Sequence, residues 1–129
     1  MQTSESQRQR PHPDSRFAAP ATMVDLTQLA ARLRAETNAG ERGHRQETCF
    51  KHGHVTVALF TFDRFTHLPE HVTRGVVSMQ VLKGRVKITA NDTEYELKAG
   101  QLLALAGGVR HAVKAEEESE MLVSVCLDP

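Results

Sequence analysis

The side chains best suited to chemistry near neutral pH are seven histidines, since imidazole is the group whose ordinary titration falls there and the commonest neutral metal ligand. Two of them sit where apolar segments begin. His71 opens the stretch HVTRGVVSMQVL, and His111 follows Gly108 by three residues in LALAGGVRHAV. An imidazole so placed holds a metal, anchors a ligand, or simply starts a strand. Arg110 lies next to His111, and its planar guanidinium suits a bidentate carboxylate partner, so it is a candidate ligand clamp. The other histidines carry less. His52 and His54 form an H-x-H that would share one strand face, but the intervening Gly53 reads as a turn. His12 and His44 lie in polar sequence and are expected to be solvated. Cys49 and Cys126 have no paired spacing and sit in apolar segments, so buried thiols are expected in place of a zinc site or redox pair.

At 129 residues the chain has the length of one domain with one core. Sixteen basic residues balance sixteen acidic ones and are scattered, which argues against a nucleic-acid binder. No apolar run approaches the roughly 20 residues of a membrane span, and MQTSESQRQRPHPDSRFAAP contains no apolar leader core. A cytoplasmic protein with no membrane role is expected.

Three regions position the candidate residues. Residues 1–21 are rich in Ser, Gln, Arg and Pro, with only Phe17 to bury, and should form a disordered tail. Residues 22–47 hold a short amphipathic helix and a linker. Leu26, Leu29 and Leu33 recur at helical spacing, Asp25 caps with Gln28 three residues on, and Asn38 or Gly40 ends the run. The apolar stripe packs on the domain or on a neighbouring subunit. Over 48–129 the period becomes two, and turns fall every eight to twelve residues: at His52-Gly53, Lys83-Gly84, Asn91-Asp92, Ala99-Gly100, Gly107-Gly108 and Glu116 to Glu120. That pattern, without an intervening helix, predicts an all-β antiparallel sandwich or closed barrel. Exposed strand edges make a homodimer the default assembly.

The order of strands and turns then meets a family pattern. KAGQLLALAGGVRHAVKA, Lys98 to Ala115, resembles the second motif of the cupins, with Gly100, Gly108 and His111 in place, Ala106 where proline is usual and Ala115 where some members have asparagine. HVTRGVVSMQVLKGRVKI, His71 to Ile88, resembles the first motif. Counting back from Gly84 places His71 at its first histidine, Thr73 at its second and Val77 at its glutamate. The resemblance is to small single-domain cupins, and it implies a jelly-roll or double-stranded β-helix barrel in which His71 and His111 converge on an apolar cavity lined by residues such as Val77, Met79 and Leu103.

The full pattern implies a divalent ion, iron, manganese, nickel or zinc, held by three imidazoles and a carboxylate. Here half of those ligands are replaced. An ion on neutral histidines alone would keep its charge in an apolar cavity, which is costly, so Glu70 or an external carboxylate or hydroxide would have to compensate it. His67, in a THLPEH segment read as a loop folding over the mouth, is the candidate third imidazole. Three readings follow from the resemblance. One is a small-molecule-binding cupin with His71 and His111 as anchors, its ligand anionic if Arg110 takes part. Another is a metal-dependent oxygenase or isomerase acting on a small acid. The last is a degenerate barrel serving as a dimerising or sensory module.

Overall fold

In a computed structural model, residues 17, 19–36 and 44–127 are described; the expected tail (save Phe17 and residues 19–21), His12, and the helix stops at Asn38 or Gly40 lie outside them. Helix α1 spans Leu26–Ala35. The strands are β1 His44–His52, β2 Val55–Phe62, β3 His67–Val72, β4 Gly75–Lys83, β5 Arg85–Ala90, β6 Thr93–Lys98, β7 Leu102–Leu105, β8 Arg110–Ala115 and β9 Ser119–Leu127. The first strand starts at His44, four residues before the expected domain boundary, and His44 is part-buried beside the rings of Phe60 and Phe62 at 6.2 and 6.3 Å, not solvated.

The strands form two antiparallel sheets, ordered β1-β2-β9-β4-β7 and β3-β8-β5-β6. Only β1–β2 and β5–β6 are hairpins between consecutive strands; every other connection carries the chain to the opposite sheet. Lys83-Gly84 and Gly107-Gly108 are therefore corners, although their sequences look like hairpin turns. Period-two burial fills the space between the sheets: in β5, Val86, Ile88 and Ala90 point inward while Arg85, Lys87 and Thr89 do not. Val81 from β4, Met121 from β9 and Ala115 from β8 meet them in one core.

Helix α1 covers the outer face of the five-stranded sheet. Leu29, Ala30 and Leu33 pack with Cys49 and Leu59 in a second cluster, so the apolar stripe is spent within the domain. The Asp25 carboxylate accepts from the Gln28 N–H at 2.9 Å, the expected N-cap. At the other end Arg32 donates to both carboxylate oxygens of Glu47, at 2.8 and 3.0 Å, and Arg34 pairs with Glu120. Phe17 is buried edge-on against Phe50, with ring centroids 5.7 Å apart.

Two sequence expectations change here. The acidic run is not a solvated loop throughout, because β9 begins at Ser119 and both Ser119 and Glu120 are buried. The Ser119 hydroxyl ties the corner together, accepting from the Arg85 N–H at 3.1 Å and donating to the Glu117 carbonyl at 2.7 Å. Cys49 is buried as expected, but Cys126 is exposed, and no disulfide joins them. Cys126 belongs to the residues of β9 that alternate away from the core.

The corners predict a graded response to adding a methyl group. Gly84 has φ +84° and a Cβ there would overlap Ser119 Oγ and the Glu118 carbonyl, whereas Gly108 has φ +81° and an open surrounding. Gly108→Ala should lose about 1–2 kcal/mol from left-handed backbone strain alone. Gly84→Ala should lose clearly more, and urea denaturation of the two variants measures the difference.

Candidate functional site

The Gly-Gly corner is what brings the two histidines together. Gly107 passes so close to Gly75 that an added Cβ would lie 3.0 Å from the Gly75 nitrogen. Gly108 supplies the positive φ and donates its N–H to the Thr73 carbonyl at 3.0 Å. The start of β8 is thereby fixed beside the end of β3, and the register places His71 directly opposite His111. Their ring centroids are 4.1 Å apart, edge to face.

Each ring is held by the backbone two residues before it. His71 Nδ1 lies 3.0 Å from the Pro69 carbonyl and His111 Nδ1 lies 3.0 Å from the Val109 carbonyl. A carbonyl oxygen can only accept, so Nδ1 carries the proton of each neutral ring and Nε2 keeps its lone pair. Both imidazoles line a cavity of about 190 Å³ between the sheets. Its walls are otherwise apolar, with Ala58, Phe60, Val77, Met79, Val113 and Met121 contributing, and the hydroxyl residues Thr56 and Thr73 joining them. His71 stands exposed, while His111 is only 2% exposed. Burial pushes the His111 pKa down; its bond to the Val109 carbonyl opposes that shift and the neighbouring His71 adds to it.

The structure sorts the sequence candidates. Val77 and Met79 line the cavity as expected. Leu103, the register partner of Met79, packs against the core instead of lining the cavity. His67 is not in a loop: it begins β3, pairs with Lys114, and faces the outer surface of its sheet together with Lys87 and Thr89. A register irregularity between Leu68 and His71 lets those two residues share the inner face and leaves His67 on the other. Arg110 is likewise directed outward, since it alternates with the inward His111; it pairs with Glu70 at 3.4 Å, and both side chains are exposed. Neither the proposed guanidinium clamp nor the proposed compensating carboxylate reaches the cavity. Thr56, Phe60, Met121, Val123 and Val125 line it without having been singled out, although the period-two pattern of VTVALFTF and MLVSVCL marks alternate residues of β2 and β9 for one face.

The metal implied by the resemblance can be tested against these donors. Nδ1–H bonds to carbonyls are how metal-ligating histidines are commonly oriented. The number of donors is the obstacle: among the described residues no group of three or more His, Cys, Asp or Glu side chains comes together. With Thr73 and Val77 at the remaining motif positions, two neutral nitrogens in an apolar cavity neither complete a first-row coordination sphere nor balance its charge. The donor set does not fit such an ion.

A jelly roll of two antiparallel sheets around an inner cavity, with these glycine corners and histidines, defines a small cupin-type fold. The family model of the AraC-like ligand binding domain matches residues 52–123, more than half the chain, and the chain belongs to that family. A cupin superfamily protein from Desulfitobacterium hafniense is similar over 94% of each chain, with a TM-score of 0.67 and 21% identity. The TT1209 protein of Thermus thermophilus gives a TM-score of 0.70 at 20% identity over 84% of this chain and all (100%) of that one. The conserved SPY1581 protein of unknown function from Streptococcus pyogenes gives 0.69 at 22% identity, over 86% of this chain and 91% of its own. At such identities the likeness shows the fold alone. No curated protein matches the chain significantly. No helix among the described residues is long and apolar enough to cross a membrane.

The lowered His111 pKa sets a pH dependence. In the unfolded chain the group titrates near its ordinary 6.5, so below that pH the unfolded state takes up a proton that the folded state resists. The contribution to stability is complete above about 6.5, and is lost progressively as pH falls from there to the folded value. Urea denaturation between about pH 5 and pH 7 should therefore show stability rising with pH, and the slope should flatten in His111→Leu.

Proposed function

We propose that this chain is a ligand-binding module that takes a small, mostly apolar molecule into the barrel cavity, with His71 and His111 as its polar anchors and without a resident metal. The carrying observation is the pairing of two imidazoles, centroids 4.1 Å apart, on the wall of an apolar cavity of about 190 Å³. That volume suits a single ring, because a cavity of about 150 Å³ lined by apolar side chains stays dry and accepts benzene. Membership of a ligand-binding domain family supports binding over catalysis, and so does a donor set short of metal ligands.

Two measurements test the reading. Protein purified without chelator or affinity nickel should contain iron, manganese, nickel and zinc far below one ion per chain. A near-stoichiometric ion that disappears in His111→Ala would overturn the metal-free reading. A screen of small cyclic compounds should raise the melting temperature by linkage, by an amount that grows with ligand concentration. Ala58→Leu, which fills part of the cavity, should abolish that shift while leaving the protein folded. An undiminished shift would place the binding elsewhere.

A further inference from the structure

His111 has an unusual balance of polarity. Its ring is 2% exposed, its Nδ1–H is committed to the Val109 carbonyl, and no hydrogen bond among the described residues engages its Nε2. The distal edge of the ring therefore offers the cavity a lone pair and nothing to donate. His71 repeats the arrangement at the mouth, with its Nδ1 on the Pro69 carbonyl, but it is exposed and water can satisfy it. His111 lines the cavity, and a ligand hydroxyl that donates to its free Nε2 satisfies the acceptor while the ligand's ring covers the apolar wall.

The charges nearby do not alter this polarity. From β3 and β8 the charged groups Glu70, Arg110 and Lys114 are exposed, with Arg110 held to Glu70. From β1, Lys51 reaches the rim, where its ammonium donates to the Thr56 hydroxyl at 3.3 Å. The titratable group facing His111 across the cavity wall is His71. The walls between them, Phe60, Met79, Val113 and Met121 among them, offer no compensation for a charged ligand.

We infer that the cavity selects an uncharged, ring-sized compound carrying a hydroxyl, a phenol in the simplest case, which binds by donating its O–H to Nε2 of His111. This rests on the cavity reading above and adds the polarity of the ligand to it. No bond is made or broken; the phenol keeps its proton in a hydrogen bond to the imidazole nitrogen. An alkyl ring of the same size lacks the donor. The matching carboxylate lacks it too, and binds only if an imidazole first takes up a proton.

The test is calorimetric titration of the full chain with toluene, phenol and benzoate at pH values from about 5.5 to 8.5, below the phenol's own ionisation near 10. Phenol should bind about tenfold more tightly than toluene, and its affinity should fall as acid protonates His111. In His111→Leu the two should bind equally. Equal binding of phenol and toluene to the unaltered protein would overturn the donor assignment and leave the cavity reading intact. Benzoate binding more tightly than phenol, and improving in acid, would overturn it in favour of an anion site. Binding of none of the three would overturn the cavity reading itself. Should His111→Leu fail to fold, the ¹⁵N shift of His111 Nε2 in the unaltered protein serves instead. It should move when phenol is added and stay in place with toluene, and movement with neither overturns the inference.

Discussion

Two facing sheets lie about 10 Å apart, and the inward residue of each strand has to fill its share of that gap. Away from the mouth this is achieved: Val81, Val86, Ile88, Ala115 and Met121 are all 0% exposed. Toward the other end, small side chains take inward positions. Thr56 and Ala58 on β2, with Thr73 between β3 and β4, leave unfilled space between the sheets beside Phe60 and Met79. The cavity is thus a local shortfall in packing, framed by strands well packed at their far ends. The same walls bury His111, and that burial is what holds its imidazole in the neutral form.

That group is held economically. Each histidine bonds to the carbonyl two residues before it in the chain, so ring orientation depends on local backbone conformation and on no side chain from elsewhere. What must be supplied at long range is the approach of β3 to β8, and the Gly75–Gly107 contact with the Gly108 bond to Thr73 provides it. Strand alternation does the rest by sending Arg110 and Glu70 outward. As an exposed pair they contribute little to stability, and their placement leaves the inner face of β8 uncharged at His111.

The local code was legible where one residue type has one strong meaning. Asp25 before a leucine stripe marks a capped helix, alternating apolar residues mark β2, β4, β5 and β9, and the glycines mark the corners. Pairing was not legible, because a turn that folds a strand onto its neighbour and a corner that sends it to the opposite sheet use the same residues, as Lys83-Gly84 shows. β3 was the hardest strand to see. Its sequence HLPEHV carries a proline, a charge and two histidines, and only Leu68 among its residues is part-buried. Pro69 suits an edge strand, which is where β3 lies, beside β8 alone. As a loop, that segment would carry His67 to the mouth. The irregularity between Leu68 and His71, a shift in pairing that no local composition announces, put it on the far side.

The surviving pair also bears on why binding fits this site better than acid–base chemistry. A general base works best when its pKa lies near the operating pH, and burial moves His111 away from that range, toward a weaker base. A metal would restore reactivity, yet the positions that complete such a sphere in the resembling motif hold Thr73 and Val77. Both replacements act in the same direction. Threonine adds a hydroxyl without charge, valine adds apolar wall, and the polar groups that remain at the cavity are the two imidazoles and the Thr56 and Thr73 hydroxyls. On the proposed reading, such a cavity distinguishes a molecule that brings its own donor from one that does not, and that discrimination needs no reaction.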